Sequence, residues 1–374
     1  MGRTPHAIDT HTRKYVPDDA GQLEVPSELL EFAESGAPRT GFEEALLRSS
    51  HLDPTDPELA ADGQERRQEL SPYRVAWLLD ELTGSATYKS VDEAGRSLRE
   101  NGFVILEPGS PNEPPLVGME LIETCAEEAV AQCERLLTQV GQRTGISVYK
   151  QRFYYREICH RVDGGLRYDM RCDLEGASEC WAKLREQSAR LALPIIERSK
   201  LLDMQVAPDE QHCAPLRSAL PTRTVLPHFD MQGCVTSFPS ACDQHFHPDG
   251  PTAGLINCFV PLVDMDHTNG STELKPGTHM YSLDAERVER QPGVHSNMRA
   301  GSMLLFDFRT HHRGRAHRKN DAPRPVAYCV FGAPGVSDRH NFSAAYESVW
   351  DCSEAQSETD LADAHGPANP LPQL

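Results

Sequence analysis

Asp243-Gln244-His245-Phe246-His247-Pro248-Asp249-Gly250 places four potential metal ligands within seven residues. On an extended backbone, positions i and i+2 point to the same side. His247 and Asp249 can therefore converge on one ion, and so can His245 and His247. A second cluster follows at Phe308-Arg309-Thr310-His311-His312-Arg313-Gly314. Two imidazoles and one carboxylate, with three positions left open, form the ligand set of non-haem ferrous iron that activates dioxygen. Arg324 stands twelve residues beyond His312, after a polar turn at 315–322. A strand–turn–strand layout sets His312 and Arg324 on neighbouring strands. The planar, permanently charged guanidinium suits a carboxylate. A dicarboxylate such as 2-oxoglutarate can then chelate iron with its keto-acid end and be clamped by Arg324 at the other.

The elements that must position these groups are legible in outline. Pro72-to-Thr83, with Val75, Leu78, Leu79 and Leu82 on one stripe, predicts a helix. Residues 91–101 predict another, with Ser90 or Asp92 as a candidate cap and Gly102 just past its end. Phe103-to-Leu106 reads as a strand, and Met119-to-Val140 and Leu174-to-Leu202 as long amphipathic helices. From about residue 222 the character changes to short β-type runs at 234–238, 255–263, 302–308 and 325–331, separated by Gly- and Pro-rich turns. That pattern argues for an antiparallel sandwich or a jelly roll. The expected organisation is an N-terminal arm and helices over 1–85, a mainly β domain with supporting helices over 86–350, and an acidic tail over 351–374.

Several motifs resemble, in order and spacing, the phytanoyl-CoA dioxygenase family. They are Pro239-Ser240-Ala241-Cys242-Asp243-Gln244-x-x-His247-x-Asp249-Gly250, Pro261-Leu262-Val263-Asp264, Asn269-Gly270-Ser271-Thr272, Pro276-Gly277-Thr278-His279, Gly301 to Asp307-x-Arg309-x-x-His312-Arg313-Gly314, and Arg324-Pro325. The resemblance runs over roughly 90–345 and is strongest from 234 to 331. It implies a double-stranded β-helix (a cupin-like jelly roll), Fe(II), 2-oxoglutarate as co-substrate, and O2. It implies His247, Asp249 and His312 as iron ligands and Arg324 as the clamp on the distal carboxylate. Gln244 and Thr272 fall where family members often line the co-substrate pocket. Asp249 carries a further implication, because halogenating relatives lack this carboxylate. Its presence points to hydroxylation, desaturation or cyclisation of a small metabolite, with release of succinate and CO2. His317 departs from the family, where Asn is frequent.

Other readings compete for the same residues. His245-x-His247-x-Asp249 also resembles the start of the metallo-β-lactamase-like hydrolase motif, but Gly250 stands where that motif needs a histidine. A cupin-type His-x-His site needs a Glu a few residues on, which Asp249-Gly250-Pro251-Thr252 does not supply. A catalytically silent binding protein on the same fold is a third reading. His245, His279 and His311 read as packing or supporting histidines, with His245 able to orient a ligand. His311 points to the opposite strand face from His312, which makes His312 the better ligand.

The stretch 149–171 mixes bases with aromatics, six bases against three acids. A solvated surface is the plain reading. The sharper one is a pocket wall in which at least one of Arg156, Arg161 and Arg167 meets an anionic substrate.

Charge composition bounds the partners. The chain of 374 residues has 37 Lys+Arg against 56 Asp+Glu, a net of −19. Residues 1–100 hold 20 acids and 11 bases, and the tail 351–374 holds five acids and no base. Residues 309–324 are instead basic, with Arg309, Arg313, Arg315, Arg318, Lys319 and Arg324 against Asp321. An acidic exterior around a basic pocket suits an anionic co-substrate and disfavours nucleic acid. No run reaches the ~18 apolar residues of a membrane helix. The 11 scattered cysteines, without any Cys-x-x-Cys pair, read as reduced core thiols of a cytoplasmic protein. The sequence leaves the oligomeric state open.

Overall fold

The computed structural model describes residues 73–77, 88–108, 112–160, 165–202, 227–318, 322–338, 341–343 and 345–351. The rest of the expected 1–85 segment, and the tail beyond 351, lie outside the described residues.

Two sheets form a jelly roll. The strands are β1 (Arg74–Trp77), β2 (Phe103–Pro108), β3 (Ile158–His160), β4 (Arg167–Arg171), β5 (His228–Ser237), β6 (Leu255–Pro261), β7 (Thr272–Leu274), β8 (Val294–His295), β9 (Met303–Asp307), β10 (His312–Gly314) and β11 (Arg324–Gly332). The large sheet has the order β1-β2-β9-β6-β11-β5-β4-β3, and the small one β10-β7-β8. Pairing is antiparallel except between β1 and β2. All four β-type runs expected from 222 onward are strands here.

Side-chain alternation divides β11 between two environments. Ala327, Cys329 and Phe331 join the core under the helices, while Arg324, Val326, Tyr328 and Val330 line a cavity. The helices α1 (Tyr88–Asn101), α2 (Met119–Thr144) and α3 (Glu179–Ser199) cover the outer face of the large sheet. On α2 the buried residues Ile122, Cys125, Ala129, Cys133, Leu136, Leu137 and Val140 recur every three to four positions, one stripe facing the sheet. Each fully buried aliphatic side chain of this kind contributes about 1.5–3 kcal/mol. The nine cysteines among the described residues are all buried, and none of them forms a disulfide.

Helix α1 is followed by Gly102, whose φ of +80° lets the chain turn straight into β2. The expected cap at Ser90 or Asp92 falls inside this helix, which begins at Tyr88. Ser90 instead donates its hydroxyl to the Ala76 carbonyl. A larger correction concerns Pro72-to-Thr83. Arg74–Trp77 is a strand, paired in parallel with Ile105-to-Pro108. An open sheet edge at β2 outcompetes the helical periodicity, a tertiary override of local pattern.

Candidate functional site

The segment from His245 to Asp249 runs extended beside β10. His247 N–H donates to the His312 carbonyl at 3.0 Å, and His312 N–H to the His247 carbonyl at 2.9 Å. This reciprocal pair sets the two imidazoles side by side, with ring centres 4.8 Å apart. Asp249 N–H donates to the Phe308 carbonyl, which anchors the far end of the segment. The ligand atoms of His247, Asp249 and His312 all lie within 4.8 Å of one another. His312 Nε2 and Asp249 Oδ1 are 3.6 Å apart.

Hydrogen bonds decide which atoms face the ion. His247 Nδ1 meets the His245 carbonyl at 2.7 Å, and His312 Nδ1 meets the Thr310 carbonyl at 2.9 Å. A carbonyl only accepts, so both Nδ1 atoms carry hydrogen and both Nε2 lone pairs are left for metal. Burial lowers the His312 pKa, which keeps its imidazole neutral and able to ligate. Two nitrogens and a carboxylate oxygen fit a divalent transition ion of iron's type.

The same cavity, about 210 Å³, carries Arg324 as well. His312 and Arg324 do not sit on neighbouring strands, as a hairpin layout would require. The turn between β10 and β11 crosses from the small sheet to the large one, so the two residues face each other across the cavity. Arg324 is 3% exposed. Its Nη2 donates to Ser237 Oγ at 2.8 Å, its Nη1 lies 3.4 Å from Met265 Sδ, and its Nε has no partner. Burial and the neighbouring Arg167 push its pKa down to about 9. A buried cation with an orphaned N–H and no carboxylate in ion-pair reach among the described residues fits the distal carboxylate of 2-oxoglutarate.

Gln244 and Thr272 both line the cavity. Gln244 Oε1 accepts from the Gly314 N–H at 2.9 Å, and Thr272 pairs with Gly314 across β7 and β10. The three arginines expected near substrate separate. Arg156 is exposed and absent from the cavity wall, and Arg161 lies outside the described residues. Arg167 lines the cavity beside Arg324. It donates to Ser237 Oγ at 2.8 Å and to the carbonyls of Gly314 and Arg315 at 3.4 and 2.9 Å.

The His245 side chain is exposed and outside the ligand cluster; its carbonyl, not its ring, orients His247. His311 bonds the Ser282 carbonyl, and His279 the Arg99 carbonyl. His317 ties its turn together through Ala322 and Ala241. Two contributors escape the sequence reading. Ser237, shared by both arginines, carries no signal in its surroundings. Asn257 is legible only as an amide inside the apolar strand Leu255–Pro261.

The fold and these side chains define a jelly-roll protein with a two-histidine, one-carboxylate centre. The model of the family described as phytanoyl-CoA dioxygenase (PhyH) matches residues 195–326, so the chain is PhyH-like over the segment that builds the site. "Dioxygenase aneA" of Aspergillus aculeatus is 35% identical over 92 residues, 22% of this chain and 30% of that protein; the match thus spans under a third of that relative's length. Among solved structures, AviO1 from Streptomyces viridochromogenes Tue57 is 20% identical, covering 66% of this chain and 96% of that one, with a TM-score of 0.43. The non-heme alpha ketoglutarate dependent epimerase SnoN from nogalamycin biosynthesis is 15% identical, covering 71% and 88%, with a TM-score of 0.42. No helix among the described residues is long and apolar enough to cross a membrane.

Proposed function

We propose that the chain is an Fe(II)- and 2-oxoglutarate-dependent dioxygenase that oxidises a C–H bond of a small molecule by hydroxylation, desaturation or cyclisation. The observation that carries this reading is the pairing of two unsatisfied ends in one cavity. Three ligand atoms converge at one side, and the buried Arg324, with no counter-ion among the described residues, faces them from the opposite sheet. The family match over 195–326 supports it.

His247 Nε2, His312 Nε2 and Asp249 Oδ1 would hold the iron. Bound iron supplies dioxygen activation, coupled to oxidative decarboxylation of 2-oxoglutarate to succinate and CO2. Arg324 takes the distal carboxylate, and Ser237 fixes the guanidinium for that contact. Arg167 joins the cationic end, so the anion it faces is the co-substrate. The rest of the wall carries Asp169, which accepts from Tyr328 at 2.9 Å, and Asp338, which accepts from Asn341 at 2.8 Å. Phe259 and Phe308 supply apolar surface. This lining suits a small substrate that offers hydrogen-bond donors on an apolar body.

The hydrolase reading loses its third ligand, because His245 points to solvent and Gly250 replaces a histidine. The test is succinate release from 2-oxoglutarate by the purified protein with and without ferrous iron and air. Iron- and oxygen-dependent succinate is expected. His312→Ala should lower it by on the order of 10³-fold, equivalent to several kcal/mol of metal-derived stabilisation. Zinc-supported hydrolysis without 2-oxoglutarate overturns the proposal. Binding of iron and 2-oxoglutarate with no turnover assigns the silent binding role instead.

A further inference from the structure

Asn257 is the polar exception in β6. Ile256, Cys258 and Val260 on one face of that strand pack into the core under the helices, and Asn257 and Phe259 on the other face line the cavity. Asn257 is 2% exposed, and its backbone is fixed on both sides, opposite Phe306 of β9 and Val330 of β11. Its side-chain amide Nδ2 donates to Asp249 Oδ2 at 2.5 Å. A carboxylate only accepts, so this edge of the amide must be the NH2. The other carboxylate oxygen, Oδ1, is the one facing His312 Nε2.

We propose that Asn257 is a positioning residue for the metal centre, holding Asp249 to ligation through a single oxygen. The inference rests on the metal-site reading above. Free to rotate, a carboxylate can chelate an ion through both oxygens and fill two coordination positions. With two imidazoles already bound, an octahedral ion would then keep two open positions. A co-substrate that chelates through two atoms, together with dioxygen, needs three. The amide of Asn257 occupies Oδ2 and keeps the third position open. It also differs from the supports of the two histidines. Those are backbone carbonyls, of His245 and Thr310, which no substitution removes. Among the hydrogen bonds described for the three ligands, that from Asn257 comes from a side chain.

The test uses metal-free protein titrated with Co(II) against a competing chelator, with the visible Co(II) spectrum and the metal-free melting temperature as further readouts. Asn257→Leu keeps the branching at Cγ and removes the donor. Its Co(II) dissociation constant is expected to rise about 10–100-fold, the usual effect of losing a ligand's outer partner. The Co(II) band should change shape, because the carboxylate is released to chelate, and the metal-free melting temperature should hold. Asn257→Ala serves as a second variant and should behave likewise. Wild-type affinity and an unchanged band in either folded variant overturn the proposal. So does unfolding of both metal-free variants, since Asn257 would then be a core residue. Failure of the wild-type protein to bind Co(II) sinks the metal-site reading itself, which separates the two failures.

Discussion

Thr272 and Glu273 are adjacent on β7, yet they face two differently organised charged regions. Glu273 points away from the cavity and is met by Arg313 Nε at 2.8 Å, Arg315 Nη1 at 2.7 Å and His295 Nε2 at 3.8 Å. Burial works to raise its pKa, but Arg315, His295 and Arg313 more than offset this and hold it below the ordinary carboxylate value. Thr272 points into the cavity, where Arg324 and Arg167 share one serine hydroxyl. There burial and a like charge push Arg324 down to about 9. Both pKa values fall, with opposite meanings. A lowered carboxylate is content in its charged form; a lowered guanidinium is not. The outer cluster is closed and structural. The inner one holds no carboxylate in ion-pair reach of Arg324 among the described residues, which suits it to take up an anion, as proposed above.

Substitutions on the two sides should therefore dissociate affinity from stability. The largest effect is expected at Arg324→Met. Its 2-oxoglutarate dissociation constant should rise about 100-fold, the loss of a charge-assisted carboxylate contact. The melting temperature of the unliganded protein should hold or increase, because a buried charge with no carboxylate partner among the described residues has been replaced by an apolar chain. A marked fall in melting temperature without loss of co-substrate affinity would make Arg324 a structural cation and erase the contrast.

Glu273→Gln should do the reverse. Removing the carboxylate leaves Arg313 and Arg315 without their shared partner, at a cost of about 2–3 kcal/mol on chemical denaturation. The affinity for 2-oxoglutarate per folded molecule should be unchanged. Because the folded pKa is lowered, the stabilisation is fully present above the unfolded value of about 4.3 and is lost as pH falls through the lower folded value. The variant and the wild type should thus converge in stability at acid pH. Equal stabilities at pH 7 would show that Glu273 contributes nothing.

How much of this contrast was legible in advance follows from which interactions are local. Phase is local, so i and i+2 alternation admitted His247 with Asp249, but it admitted His245 with His247 equally, and the family resemblance made the choice; the opposed facing of neighbours favoured His312 over His311. Sheet membership is not local. The 12-residue spacing from His312 to Arg324 fits a hairpin within one sheet as well as a crossover between two, and the structure uses the crossover. Arg167 posed the same difficulty. Its stretch read as a solvated surface or as a substrate wall, and only the register of β4 against β5, with Arg167 opposite Ser237, brings it beside Arg324. Within the stripe expected at 72–83, the described residues Arg74–Trp77 form β1 instead, because the partner edge that captured them lies some thirty residues away in the chain. Asn257 passed unremarked in an apolar run, because its purpose needed the position of Asp249.

The smallest effect tests whether the two regions are mechanically joined through β10. Gly314 lies opposite Thr272, and a Cβ there would stand 2.8 Å from both the Arg167 guanidinium and Gln244 Oε1. Those atoms are the ends of long side chains, which ordinarily swing aside. Here they are tied, Arg167 to Ser237 and to the Gly314 and Arg315 carbonyls, and Gln244 to the Gly314 N–H. Yielding would break those bonds and press Arg167 toward Arg324. Gly314→Ala should therefore cost about 1 kcal/mol, seen as an approximately fivefold weaker binding of 2-oxoglutarate. The Arg315 side chain, which belongs to the Glu273 cluster while its carbonyl belongs to Arg167, should transmit part of that strain as a small drop in melting temperature. If affinity falls and the melting temperature does not, the inner and outer regions are independent, and the small sheet is a rigid partition between them. If neither moves, Arg167 is mobile in solution and Arg324 alone makes the cationic end.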